Sequence, residues 1–190
     1  MNDDQEFEGF FDTLNEAVTK LYGRDGVPSI TLAFGGTGKL LLTPITIPAA
    51  KTGMLYMLSR ALADALPAHF FGVAMDAWQA SYDTDADKLG FVPPYEHPKR
   101  TECVIIVAYR RQRVPLVSSS IWEIQRGPDG KRLPPVRKEQ EDPISGGRIL
   151  EWSRRVLTPD FPDPELIQAA RAFLPVVAGG EIIAHLPGFE

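Results

Sequence analysis

Residues 69–82 read HFFGVAMDAWQASY, and residues 102–112 read ECVIIVAYRRQ. In the first stretch, alternation places Phe71, Val73, Met75 and Ala77 on one face and Phe70, Asp76, Trp78 and Tyr82 on the other. Period two is the signature of a strand. The uniformly apolar face belongs to the core. The opposite face sets a carboxylate among aromatics, and an ionised group buried without a partner is costly. Asp76 therefore calls for solvent or a cation, and Arg100, Arg110 and Arg111 are the nearest in sequence. The second stretch is a continuous run from Cys103 to Ala108 with no alternation, the pattern of a central strand covered on both faces. It returns to water at Tyr109, Arg110 and Arg111.

Working outward, a polar loop joins these two strands. Asp83, Asp85 and Asp87 alternate there, as in a calcium loop. The EF-hand pattern needs glycine at its sixth position and glutamate at its twelfth, where Lys88 and Pro94 stand, so a solvated acidic loop is the better reading. The proline-rich run VPPYEHPKR (92–100) is stiff and is expected to present Tyr95 and His97 outward, at the edge of any binding site.

The step Asp76-Ala77-Trp78, a polar loop, and then Arg100-x-Glu102 opening a hydrophobic strand together resemble a pattern in uncharacterised proteins of bacteriophages and prophages. The resemblance covers roughly residues 69–126. It implies no activity, so no catalytic residue is carried over from it.

On the N-terminal side, Phe7, Phe10, Phe11, Leu14, Val18 and Leu21 fall three and four apart, which predicts an amphipathic helix over about 3–22. Asn2 or Asp3 suits its cap, acids fill its first turn, and Gly23 suits its end. Residues 28–34 and 40–47, joined by Gly35-Gly36-Thr37-Gly38, predict a β-hairpin. The run GGTGK is not a phosphate loop: Ala33 stands where the Walker pattern needs glycine, and Leu40 where it needs Ser or Thr. Pro48 then opens a second helix, about 49–66, with Met54, Leu55, Leu58, Ala61, Leu62 and Ala65 as its stripe.

On the C-terminal side, residues 114–126 (VPLVSSSIWEIQR) predict another strand, followed by a turn at Gly127-Pro128-Asp129-Gly130. Ser118, Ser119 and Ser120 lack a nucleophile elbow and read as structural. The segment 131–147, KRLPPVRKEQEDPISGG, is expected to be a long loop or an arm reaching a neighbouring subunit. Residues 148–152 suggest a short strand. Asp163 and Pro164 open a last helix with Leu166, Ile167, Ala170, Phe173 and Leu174 on its stripe. The tail 176–190 is apolar enough to pack on the body or on another chain.

These elements predict one α+β domain of 190 residues: a mainly antiparallel sheet of about five strands with two or three helices packed on one face. No apolar run approaches the roughly 20 residues that span a bilayer, so no membrane partner is expected. The acidic start, MNDDQEFEGFF, is not a secretory signal. The single cysteine, Cys103, rules out an intrachain disulfide and reads as a buried thiol, which suits a cytoplasmic protein. The three histidines, His69, His97 and His185, show no metal or triad spacing.

The net charge of −5 argues against a general nucleic-acid binder, yet charge is unevenly spread. Residues 1–99 hold 7 Lys/Arg against 13 Asp/Glu, whereas residues 100–155 hold 12 against 7. That basic middle segment, 100–155, is a candidate surface for phosphate or nucleic acid or for an acidic partner; equally, it balances charge within the chain or pairs with an acidic patch on a second copy.

The expected function is therefore non-enzymatic: a binding or assembly protein of a phage or mobile element, acting through a protein partner or as a homo-oligomer. No catalytic residue, cofactor or metal is expected. The candidate binding residues are Asp76, Trp78, Tyr82, Tyr95, His97, Arg100, Glu102 and Arg110. The alternative is a small-ligand-binding protein or enzyme with a pocket on the sheet face around Asp76, Tyr82, Arg100 and Glu102.

Overall fold

The computed structural model describes residues 3–23, 30–36, 39–45, 59–64, 66, 68–80, 92–110, 116–139, 148–157, 164–165, 168 and 184–185. Helix α1 (Asp3–Tyr22) precedes the hairpin β1 (Ile30–Gly36) and β2 (Lys39–Ile45). Residues 59–64 are helical and are labelled α2. The long pair β3 (Phe70–Ala80) and β4 (Arg100–Arg110) follows, then β5 (Leu116–Glu123) and the short β6 (Val136–Lys138). Helix α3 (Arg148–Leu157) and the two-residue β7 (Ala184–His185) complete the described elements.

The strands form one sheet in the order β6-β5-β4-β3-β1-β2-β7, with every pairing antiparallel. The α+β, mainly antiparallel reading stands. The sheet has seven strands when short β6 and β7 are counted with the five longer ones. Its centre is β3 against β4, in register from Phe70↔Arg110 to Ala80↔Arg100.

The helices do not gather on one face. Phe7, Phe10, Leu14, Val18 and Tyr22 of α1 pack with Ala33, Phe70, Ala74, Val104, Ile106 and Ala108. On the opposite face, Ala61, Leu62 and Ala63 of α2 and Val156 and Leu157 of α3 pack with Leu32, Phe34, Phe71, Val73, Val107 and Tyr109. The cause is the unbroken apolar run of β4: a strand with no polar face must be covered twice.

Two glycines set how closely α1 approaches. A Cβ on Gly35 would lie 2.6 Å from the Phe10 ring, and one on Gly72 would overlap Leu14. Both sit where the helix ridge presses on the sheet, and only a residue without a side chain fits there.

Two other expectations change. Residues 148–152 belong to helix α3 rather than to a strand: Ser153, Val156 and Leu157 are buried while Arg154 and Arg155 are exposed, a helical period that a five-residue window is too short to show. Residues 131–139 do not reach away as an arm. They turn back along β5, with an Arg126↔Arg132 bridge followed by β6 pairing Ile121, Trp122 and Glu123. The remainder of that expected arm, 140–147, lies outside the described residues, as do most of the expected second helix (49–58 and 65) and most of 163–190. Within the expected last helix, residues 164, 165 and 168 are helical, and from the tail Ala184 and His185 pair with Leu40 and Lys39.

Candidate functional site at the open end of the sheet

Helix α1 runs along its sheet face from Arg110, beside Phe7, to Ala74, whose carbonyl accepts a hydrogen bond from the Tyr22 hydroxyl at 3.3 Å. Beyond Tyr22 the same face continues through Asp76 and Trp78 on β3 and through Glu102 and Arg100 on β4, because alternate residues share a face. Here the apolar roof ends and charged side chains take over.

The hairpin that returns from β5 supplies the cations. Its turn is closed by Gly127 N–H donating to the Lys131 carbonyl at 2.9 Å, with Gly130 in the left-handed region at φ 78°. Arg126 and Arg132 thereby face one another and both reach Glu102. Arg126 grips it as a fork: Nη2 donates at 2.8 and 3.1 Å and Nε at 3.0 Å. Arg132 Nη2 is shared between Glu102 Oε1 at 2.6 Å and Asp76 Oδ2 at 2.9 Å. Such forked, charge-assisted bonds fix direction as well as charge.

The Arg132, Glu102 and Asp76 side chains are only 12%, 15% and 25% exposed, so this is a half-buried network rather than a surface pair. Burial raises the Asp76 carboxyl above its usual pKa, outweighing the Arg132 guanidinium; its Oδ1 is buried and accepts no hydrogen bond among the described residues. At Arg132 burial opposes the charge, but the two carboxylates outweigh it and raise the pKa. Burial also pushes the Tyr22 hydroxyl up to about 12 and the Cys103 thiol up to about 11, so neither is ionised near neutrality.

Next to this network lies an aromatic platform. The Arg100 guanidinium sits 5.0 Å from the Trp78 ring centroid, a cation–π geometry, and donates from Nη1 to the Tyr95 carbonyl at 2.6 Å. Trp78 is 43% exposed and Tyr95 57% exposed. Leu133, which follows Arg132, is exposed as well.

The structure thus brings together Asp76, Trp78, Tyr95, Arg100 and Glu102. It does not bring Arg110 to them: Arg110 pairs across from Phe70, eight positions along β4 from Glu102, roughly 27 Å at a strand's rise. There it is buried, bonded to Asp4 on α1 and set 5.8 Å from the Phe7 ring, so it anchors the helix. His97 is not presented outward. It is buried, and its Nδ1 accepts from the Lys99 backbone N–H at 3.2 Å, inside the turn that ends at Arg100. Tyr82 and Arg111 lie outside the described residues.

The partner of Asp76 is Arg132, not Arg100 or Arg110. Sequence proximity misled because a β-hairpin crosses two strands to deliver a residue 56 positions away. The signal that could have found it is the turn Gly127-Pro128-Asp129-Gly130, flanked by Arg126 and Arg132. Ser120 and Asn15 are structural: Asn15 Oδ1 accepts from Ser120 Oγ at 2.5 Å and from Trp122 Nε1 at 2.9 Å, tying α1 to β5. Among the described residues, no three His, Cys, Asp or Glu side chains gather as a metal-ligand set, and no helix is long and apolar enough to cross a membrane. No protein-family model matches the chain, and no curated protein or solved structure matches it either.

Proposed function

We propose that the protein is a non-enzymatic binding or assembly protein that works through protein–protein contact, with the Trp78–Tyr95–Arg100 end of the sheet as its contact surface. The observation that carries this reading is an exposed tryptophan on β3 and an exposed tyrosine in the 92–99 turn beside an arginine on β4, backed by the Arg132–Glu102–Asp76 ion network. Tryptophan, tyrosine and arginine are the residues that dominate binding energy at protein interfaces, where rigid side chains lose little entropy on association. The carboxylates expected to line a small-ligand pocket, Asp76 and Glu102, are instead engaged by Arg132 and Arg126, which favours contact over chemistry at this end.

The resemblance of residues 69–126 to phage and prophage proteins supports a role in a phage or mobile element. The single thiol, Cys103, is buried, which suits a cytoplasmic protein. The test is a photo-cross-linking residue in place of Trp78, with the same residue at Arg154 on α3 as control. The expected result is one defined adduct from position 78 only, identified by mass and lost when Arg100→Ala is added. Equal labelling from both positions, or none from position 78, would remove the reading.

A further inference from the structure

The contact surface proposed above carries an arginine that meets no carboxylate among the described residues. Among the described residues, Arg100 meets only the Trp78 ring and the Tyr95 carbonyl. Arg137, across from Trp122 on the same face, is exposed and also meets no carboxylate among the described residues. Two strand spacings and four residues separate them, roughly 16 Å.

A complementary feature lies on α1. The helix holds six carboxylates to one lysine, and Asp4, Glu8, Asp12 and Glu16 stand on its exposed side at intervals of four. That stripe is about 18 Å long at the helical rise. Like charges four apart oppose helix formation, so each carboxylate invites an explanation. Asp4 is bonded to Arg110 and lies in the first turn, where the helix dipole favours acids. Glu16 pairs with Lys20 at 2.5 Å, which lowers its pKa. Glu8 and Asp12 meet no cation among the described residues and lie beyond the first turn.

Between them sits Gly9. A glycine in a helix interior weakens the helix, and it is usually accounted for by close packing. Nothing lies within 4 Å of where its Cβ would be, so packing within the described chain does not account for it. It leaves a bare notch in the helix surface, with Asp12 three residues on and Glu8 beside it in the chain.

We infer that copies of this chain associate head to tail, the Glu8–Gly9–Asp12 surface of α1 in one copy receiving the Trp78 ring and Arg100 of the next. The indole lies on the bare Gly9 backbone, and the guanidinium meets the two carboxylates. The two surfaces differ, so the contact is heterologous. It builds a ring where the rotation closes and an open row where it does not. This inference rests on the contact-surface reading and adds the occupant.

The test is the mass of the native species, by sedimentation and native mass spectrometry, at low and high salt. The wild type is expected to associate at low salt and to disperse as salt shortens the screening length to a few Å. Arg100→Glu, and Glu8→Lys with Asp12→Lys, should each raise the concentration of half-association by at least about tenfold. An equimolar mixture of the two variants should reassemble, because each restores the charge that the other has lost. Gly9→Leu should also disperse the protein while leaving its circular dichroism intact, since a side chain there has open space within the chain. A wild type that is monomeric at every salt concentration, or an assembly that neither charge variant moves, overturns the inference. Dispersal by Arg100→Glu but not by the α1 variants overturns it too, and leaves Trp78 a contact for some other occupant. Failure of the contact-surface reading itself is seen separately, as loss of the adduct from position 78.

Discussion

One face of one sheet carries two ends built on opposite principles. At the Phe70 end, the rings of Phe7, Phe10 and Phe70 pack with centroids within 6.5 Å of one another under α1, and Gly35 gives way to let them in. At the Ala80 end the same two strands present a carboxylate–guanidinium network and a tryptophan left in solvent. Strand pairing is continuous from one end to the other, so the difference lies in side chains alone. The closed end contributes to stability. The open end is the contact surface proposed above.

That contrast can be broken from the closed end first. Gly72→Val drives a branched side chain into Leu14 beneath α1 and should cost about 3 kcal/mol of unfolding free energy, the upper range for overpacking a core, as measured by urea denaturation. Glu102→Gln at the open end comes next. It leaves Arg126 and Arg132 facing a neutral amide in a half-buried site and should cost roughly 2 kcal/mol. If it proved silent, the network would be decoration. Asn15→Ala strips the acceptor from Ser120 and Trp122 under the middle of α1, for about 1–2 kcal/mol by the same assay.

The pH dependence of Asp76 sharpens the comparison further. Its pKa is raised by folding, so the folded state holds the proton more tightly than the unfolded chain does. Stability tied to this group is therefore present at low pH and is lost as pH rises from roughly 4 through the raised value. Thermal unfolding of wild type and Asp76→Asn across that range should show the wild type losing ground to the variant as pH rises. A gap that widens in the other direction would mean that Arg132 outweighs burial. The smallest effect on stability, within about 0.5 kcal/mol, is expected for Trp78→Ala, a half-exposed side chain away from both cores.

Much of the fold is legible in the sequence, for local reasons. The period of Phe7, Phe10, Leu14 and Val18 marks α1, the alternation in β3 and the unbroken run in β4 mark the central pair, and Gly35 to Gly38 mark the first hairpin. The pairing of Trp78 with Glu102 and the cation over the Trp78 ring bring together residues that the chain holds two dozen positions apart, and all three are candidates from the sequence. What is not legible depends on non-local geometry. Arg132 reaches Asp76 only because residues 131–139 fold back along β5, whereas their proline and charge content reads locally as an arm. Arg110 and Glu102 lie on one strand and look like neighbours, yet the strand's length puts them at opposite ends of the sheet. His97 sits in a run of prolines that suggests exposure, but the backbone turn encloses it.

The most direct test of the division between the two ends is to measure native mass and melting temperature together on the double variant Trp78→Ala, Arg100→Ala. The expected result is an unchanged melting temperature with loss of the associated species. A protein that melts early while its association state stays the same would contradict it, and would place Trp78 and Arg100 among the residues that hold the fold.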